Sequence, residues 1–196
     1  MKTTTRLLLL LSILVGFSCL CEAKSIKPGT RFELPGSHFN SPDSKGWRVS
    51  QDGYQFIFSK KVSKRHTIMA EVAYSKAPKV SDPSEFLEYV RNRWNQNNDD
   101  DRYVSVTDVF RNTKAFSPIG IYAERVWKDT RTDFKRDDEY LFVRDFAHIF
   151  IHPHDNDIMV TLLYSVRHPP NDDYSYADAE VSKFIRDFAV EELLYE

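Results

Sequence analysis

The chain has 196 residues, 41% hydrophobic and 29% charged, a balance that suits one ordinary globular domain and gives no compositional case for disorder. Its formal net charge of −2, with both signs interspersed, leaves no basic field to hold nucleic acid. Fourteen Phe, ten Tyr and three Trp supply an aromatic-rich core.

The first segment has the pattern of a secretory leader. Lys2 and Arg6 form a positive n-region, Leu7 to Phe17 an apolar h-region, and Cys21-Glu22-Ala23 a small-residue cleavage site. This predicts a signal peptide over 1–23. The apolar run falls short of the roughly 20 residues a membrane helix needs, and no later stretch is apolar enough to span. Cys19 offers an alternative, lipidation at that cysteine, although of the preceding Gly16-Phe17-Ser18 only Ser18 matches such a processing site. Both cysteines lie in this segment, so a chain starting at Lys24 carries neither disulfide nor thiol chemistry. The expectation is an exported protein, periplasmic or extracellular, of a bacterial cell envelope.

Residues 24–45, punctuated by Pro28, Gly29, Pro35, Gly36 and Pro42, read as an extended arm with at most a short strand at Arg31–Leu34. A single domain then runs over 46–196. Trp47-Arg48-Val49 leads into Asp52-Gly53, a two-residue hairpin signal, after which Tyr54, Phe56 and Phe58 share one strand face. Lys60 to Arg65 is a basic loop, and Ile68, Ala70, Val72 and Tyr74 line one side of the next strand.

Ser81-Asp82-Pro83-Ser84-Glu85 carries three helix-start cues: a cap at Asp82, Pro in the first turn, and Glu three residues after the cap. Phe86, Leu87, Val90 and Trp94 continue it as an amphipathic helix over 82–96, which the acidic run Asp99-Asp100-Asp101 follows. Strands are predicted over 103–111 and 118–128, then a charged connection over 130–138. Next comes the hairpin that organises the chain, Leu141 to Ile151 and Ile158 to Val166, joined by His152-Pro153-His154-Asp155-Asn156-Asp157. The mid-strand pair Arg144-Asp145 predicts a bulge or break before Phe146. Ala177, Val181, Phe184, Ile185 and Phe188 recur at the spacing of a second buried helix, over 176–190. Without regular strand–helix alternation the fold class is α+β: an antiparallel sheet of six to seven strands flanked by two main helices.

The Trp-containing opening strand and the "IxF"-like strand that follows, Gly46-Trp47 and Phe56-Ile57-Phe58, resemble the Mog1/PsbP-like α/β/α sandwich group. So do the helix after Ser81 and the antiparallel meander closed by a C-terminal helix. The similarity spans most of the chain after the leader and rests on element order and a few aromatics. It implies a fold and a largely non-catalytic accessory or binding role. No functional residue carries across, because no site motif of the group is matched.

For chemistry, His148, His152 and His154 with Asp155 and Asp157 form the densest group of metal-ligating residues, and an ideal strand projects the three histidines to one face. Against a divalent metal stand Pro153, which ends the strand, and the lack of any recognised zinc spacing. Neither Asp99–Asp101 nor Asp155–Asp157 has the glycine and terminal glutamate of a calcium loop. There is no G-x-S-x-G, and no cysteine remains after the leader to serve as nucleophile. Phe32, His38 and Phe39 in the arm, and Tyr174 and Tyr176 beside Pro169-Pro170, are either partner-binding aromatics or seals for the sandwich ends. The leading expectation is an exported binding or accessory protein without a cofactor, its partner a protein or small ligand of the envelope. The alternative is a metal-binding protein or metal-dependent hydrolase built on the histidine cluster.

Overall fold

A computed structural model of the chain describes residues 23–95, 102–130, 140–172 and 175–191, and of 176 and 178 the backbone only. The expected leader with Cys19, the Asp99–Asp101 run, most of the charged 130–138 connection and the side chains of Tyr174 and Tyr176 lie outside what is described.

The elements in chain order are β1 (Lys24–Ser25), β2 (Arg31–Leu34), β3 (Ser37–Asn40), β4 (Arg48–Asp52), β5 (Gln55–Lys61), β6 (Thr67–Lys76), α1 (Pro83–Asn95), β7 (Tyr103–Asn112), β8 (Gly120–Asp129), β9 (Leu141–His152), β10 (Asp155–His168), α2 (Ser175–Arg186) and β11 (Ala189–Val190). Eight strands form one sheet in the order β1-β4-β5-β6-β10-β9-β8-β7, and β11-β3-β2 form a second, small one. Every pairing is antiparallel. The fold is therefore α+β as expected, with more strands than the six to seven predicted. The additional ones are β1, β3 and β11, whose two to four residues carry too little alternation to be read from sequence; β2 stands where the short strand at Arg31–Leu34 was expected.

Strand β10 lies at the middle of the large sheet and is buried on both faces. Val160, Leu162, Tyr164 and Val166 point to one side, where Ala177, Val181 and Phe184 of α2 join them in a core. Met159 and Leu163 point to the other, where Phe86, Val90 and Trp94 of α1 pack over Ile121, Ala123, Ala147 and Ile149. Two antiparallel meanders, β4-β5-β6 and β7-β8-β9-β10, thus close on each other along the β6–β10 ladder, from Ile158↔Lys76 to Arg167↔Thr67. Helix α1 starts as its cues predict. The Asp82 carboxylate accepts from the N–H groups of Ser84 (2.7 Å) and Glu85 (3.0 Å), while Glu85 accepts from the Ser81 N–H (2.7 Å). Among the described residues, no helix is long and apolar enough to cross a membrane.

Several local expectations change. Residues 24–45 are more than an extended arm: the β2–β3 hairpin places Leu34 and Phe39 in the α2-side core, where Phe39 stacks on Phe32 (5.2 Å). Phe32 and Phe39 are thus seals rather than an exposed partner patch. The first hairpin turns one residue later than predicted, at Gly53-Tyr54, with Gly53 at φ 55°. The organising hairpin turns in two residues, Pro153-His154, and Asp155 already pairs with His152; its irregularity lies between Asp155 and Met159. No break follows Arg144-Asp145, because alternation sends each charge to a different face and both stay in register with β10. The second helix ends at Arg186 rather than 190, since Ala189 and Val190 pair with β3 while Phe188 still reaches the core. Helical and extended backbones bury Phe188 equally well, so spacing alone did not distinguish them.

One polar joint fastens α2 to the first meander. Glu180 accepts from the Trp47 indole N–H (2.8 Å) and the Ser44 N–H (3.1 Å), and from the Ser44 hydroxyl; Lys60 Nζ lies 3.7 Å from it and donates to Ser44. Trp47 itself is 1% exposed. Trp47→Ala removes both the ring and a donor of this joint and is expected to cost about 3–5 kcal/mol; urea denaturation followed by Phe and Tyr fluorescence or circular dichroism reads it.

Candidate functional site

The histidine turn comes first, because the sequence singled it out. His152 ends β9 with its ring fully buried. Its Nδ1 accepts from the His154 N–H (3.3 Å) and its Nε2 faces the Gly36 carbonyl (3.3 Å), a pattern that assigns the neutral Nε2–H tautomer. Burial holds its pKa below the ordinary histidine value and the neighbouring His154 adds to this, while Gly36 and Asp155 act the other way. Both ring nitrogens are therefore occupied by backbone. His154 is exposed in the turn, its ring 6.0 Å from that of His152. Asp155 accepts from the Asp157 N–H (2.9 Å) and so shapes the turn.

His148 does face the same side as His152, as strand parity requires. Four residues of strand, however, separate Cα atoms by about 13 Å, against the ~2 Å reach of a metal–nitrogen bond. Its ring sits between Phe116 (5.3 Å) and Tyr122 (5.4 Å), and its buried Nδ1 has no hydrogen-bond partner among the described residues. Burial, then the nearby Arg111, lowers its pKa. The structure thus brings His152, His154 and Asp155 together and leaves His148 apart. Among the described residues no group of three or more His, Cys, Asp or Glu side chains is placed to hold a metal ion.

The α1-side face of the sheet carries a row of buried charges that sequence reading did not select. Asp129 is held by Arg102 (2.9 and 3.0 Å) and Arg167 (2.8 Å). Arg125 pairs with Asp108 (2.6 and 3.2 Å), lies 3.9 Å above the Trp127 ring, and donates to the last carbonyl turn of α1 at Trp94 (3.4 Å). Next to it in register is Asp145. Burial pushes the Asp145 carboxyl up to about 6, against the opposing pull of Ser165, Arg125 and the Trp127 indole. These charges are mostly matched, and they bind α1 and the outer strands to the sheet. A second histidine pair, His66 and His168, is buried at the far end of β6 and β10 with rings 6.1 Å apart, and His66 lies 3.7 Å from Asp172.

One carboxyl is not matched. A cavity of about 50 Å³ opens between α1 and the sheet, floored by Glu71, Ile149, Met159, Thr161 and Leu163 and walled by Tyr89, Val90, Arg93 and Trp94. Glu71 is 4% exposed and stands in the middle of β6, between Ile57 and Leu163 in register. Among the described residues its sole hydrogen-bond partner is the Gln55 amide, at 2.8 Å. Burial raises its pKa and the Gln55 bond offsets this only in part. Arg93 does not neutralise it: that guanidinium donates to the Tyr89 hydroxyl (2.5 Å) and lies over the Tyr89 ring. A small concave site with apolar walls and one convergent polar group has the form of a ligand seat. The sequence held a signal for it. Glutamate is depleted in strands, and here it interrupts an otherwise apolar run, Ile68 to Tyr74.

Of the basic loop, Lys60 turns inward to Ser44 and Glu180. His38 pairs with Glu191 (2.5 Å) across the small sheet.

No family model matches the chain, and no curated protein matches it. Among solved structures it is similar to cyanobacterial PsbP from Synechocystis sp. PCC 6803, with 13% identity and a TM-score of 0.41 over 89% of this chain and 96% of that one.

Two stability measurements probe the buried carboxyls. A carboxyl whose folded-state pKa is raised binds its proton more tightly in the folded chain. Its stabilising contribution is thus complete below the unfolded value of about 4 and is lost as pH rises through the folded one. Glu71→Gln is therefore expected to gain stability relative to the parent from pH 4 to pH 8, read by urea denaturation across that range. For Asp145→Asn the corresponding change relative to the parent is roughly 2–3 kcal/mol, complete by about pH 7, since Asp145 titrates near 6.

Proposed function

We propose that the protein is an exported, non-catalytic binding or accessory protein of the cell envelope, and that the cleft between α1 and the sheet is where it holds its ligand. The observation that carries this reading is Glu71: a buried carboxyl, with one neutral donor, opening on an apolar cavity. A carboxyl left in that state weakens the fold, which is a reason to look for a binding partner that compensates it.

The same site lacks the parts of a catalytic one. Among the described residues only the Gln55 amide bonds to Glu71, and those that line the cleft include neither a histidine nor a cysteine. Acid–base or nucleophilic work needs a second group within hydrogen-bond reach of the first. The leader pattern over 1–23 supports export.

The test is a small-molecule screen by thermal shift, with each hit mapped by amide chemical-shift changes. A ligand of this site raises the melting temperature and perturbs Glu71, the Met159–Leu163 stretch and the Tyr89–Trp94 flank, without being converted. Hits that map elsewhere, or chemical turnover of a hit, would overturn the proposal.

A further inference from the structure

We infer that the ligand of the α1 cleft is a small alkylamine, whose primary ammonium head pairs with Glu71 while its carbon chain lies on the aliphatic wall. This rests on the cleft being the ligand seat, and it goes on to assign the ligand's charge and shape.

The carboxyl decides the charge. An ionised carboxylate offers about four lone-pair sites, and the described structure fills one, with the amide N–H of Gln55 on Oε1. An ammonium group supplies three donors and the opposite charge at once, so it satisfies what the protein leaves open. An anionic ligand would meet the same carboxylate with repulsion. A hard divalent cation is a poor fit, because such ions gather six or more oxygens and most of this lining is carbon: Val90, Ile149, Met159 and Leu163.

The walls decide the shape. A volume of about 50 Å³ is a third of the ~150 Å³ cavity that accepts benzene, so an aromatic ring is too large, while an ammonium head and its first methylenes fit. Val90, Met159 and Leu163 give those methylenes van der Waals contact, and burying them contributes to binding in proportion to the apolar area removed from water.

The experiment is an NMR titration of the purified protein and of Glu71→Gln with n-butylammonium, butan-1-ol and butyrate at constant ionic strength. The expected result is saturable perturbation of Glu71, Met159 and Leu163 by n-butylammonium. The alcohol and the carboxylate leave these amides unmoved. Glu71→Gln keeps the shape of the side chain and loses its charge, and it weakens n-butylammonium by about tenfold or more. Should that variant not fold, Glu71→Asp, which retains the charge but withdraws it by one methylene, is expected to weaken binding in the same direction. Equal binding of butanol and butylammonium, or unchanged amine affinity in both variants, overturns the amine assignment while leaving the cleft a binding site. If none of the three probes moves these residues, while the thermal-shift screen finds a ligand that does, the amine inference alone fails. If neither finds one, the cleft is not a binding site.

Discussion

A strand buried on both faces is the constraint from which the rest of this structure follows. β10 carries Val160, Leu162, Tyr164 and Val166 on one side and Met159 and Leu163 on the other, all almost fully buried. A sheet with such a strand at its centre cannot leave either face to water, so each must be covered. Helix α1 covers one face around Ala123 and Ala147, whose small side chains accept Phe86 and Trp94. Helix α2 and the β2–β3 hairpin cover the other with a cluster of phenylalanines, Phe39, Phe58 and Phe184 among them. The α/β/α layering is the geometric consequence of one doubly apolar strand.

Buried charge in this protein falls into two physical kinds. Asp129, Arg125 and Glu180 each have several well-placed partners, and each joins elements that apolar packing would hold less specifically: the outer strands, the end of α1, and α2. Removing one partner of such a set leaves the other uncompensated, which fixes the arrangement even where its net contribution to stability is small. Glu71 belongs to the second kind. It has one neutral partner and a cavity in front of it. Asp145 lies between the two, with a raised pKa and, among the described residues, no hydrogen-bond partner for its Oδ1.

The contrast between the histidine turn and the Glu71 cleft shows how a sequence can point to one site and a structure to another. Histidines at spacings of four and two draw attention because period-2 alternation puts them on one face. Rise along the strand is the competing quantity, and it separates His148 from the turn by several times a ligand distance. The backbone then takes both nitrogens of His152. Glu71, by contrast, is a single residue without a motif. Its importance depends on what lies across from it, and that is set by α1, which begins more than ten residues later in the chain.

The sequence alone determined the α+β class, the long strands with their faces, the α1 start at Asp82, and the central place of the 141–166 hairpin. These follow from alternation, capping and turn chemistry, which act between residues a few positions apart. Tertiary structure decided the short strands β1, β3 and β11, the end of α2 at Arg186, the unbroken course of β9 through Arg144 and Asp145, and the cleft itself. Each of these depends on pairing or packing between distant segments, such as Ala189 with His38 or Glu71 with the flank of α1. A local pattern carries no term for such contacts, so the cleft proposed as the ligand seat is the feature the sequence left least visible.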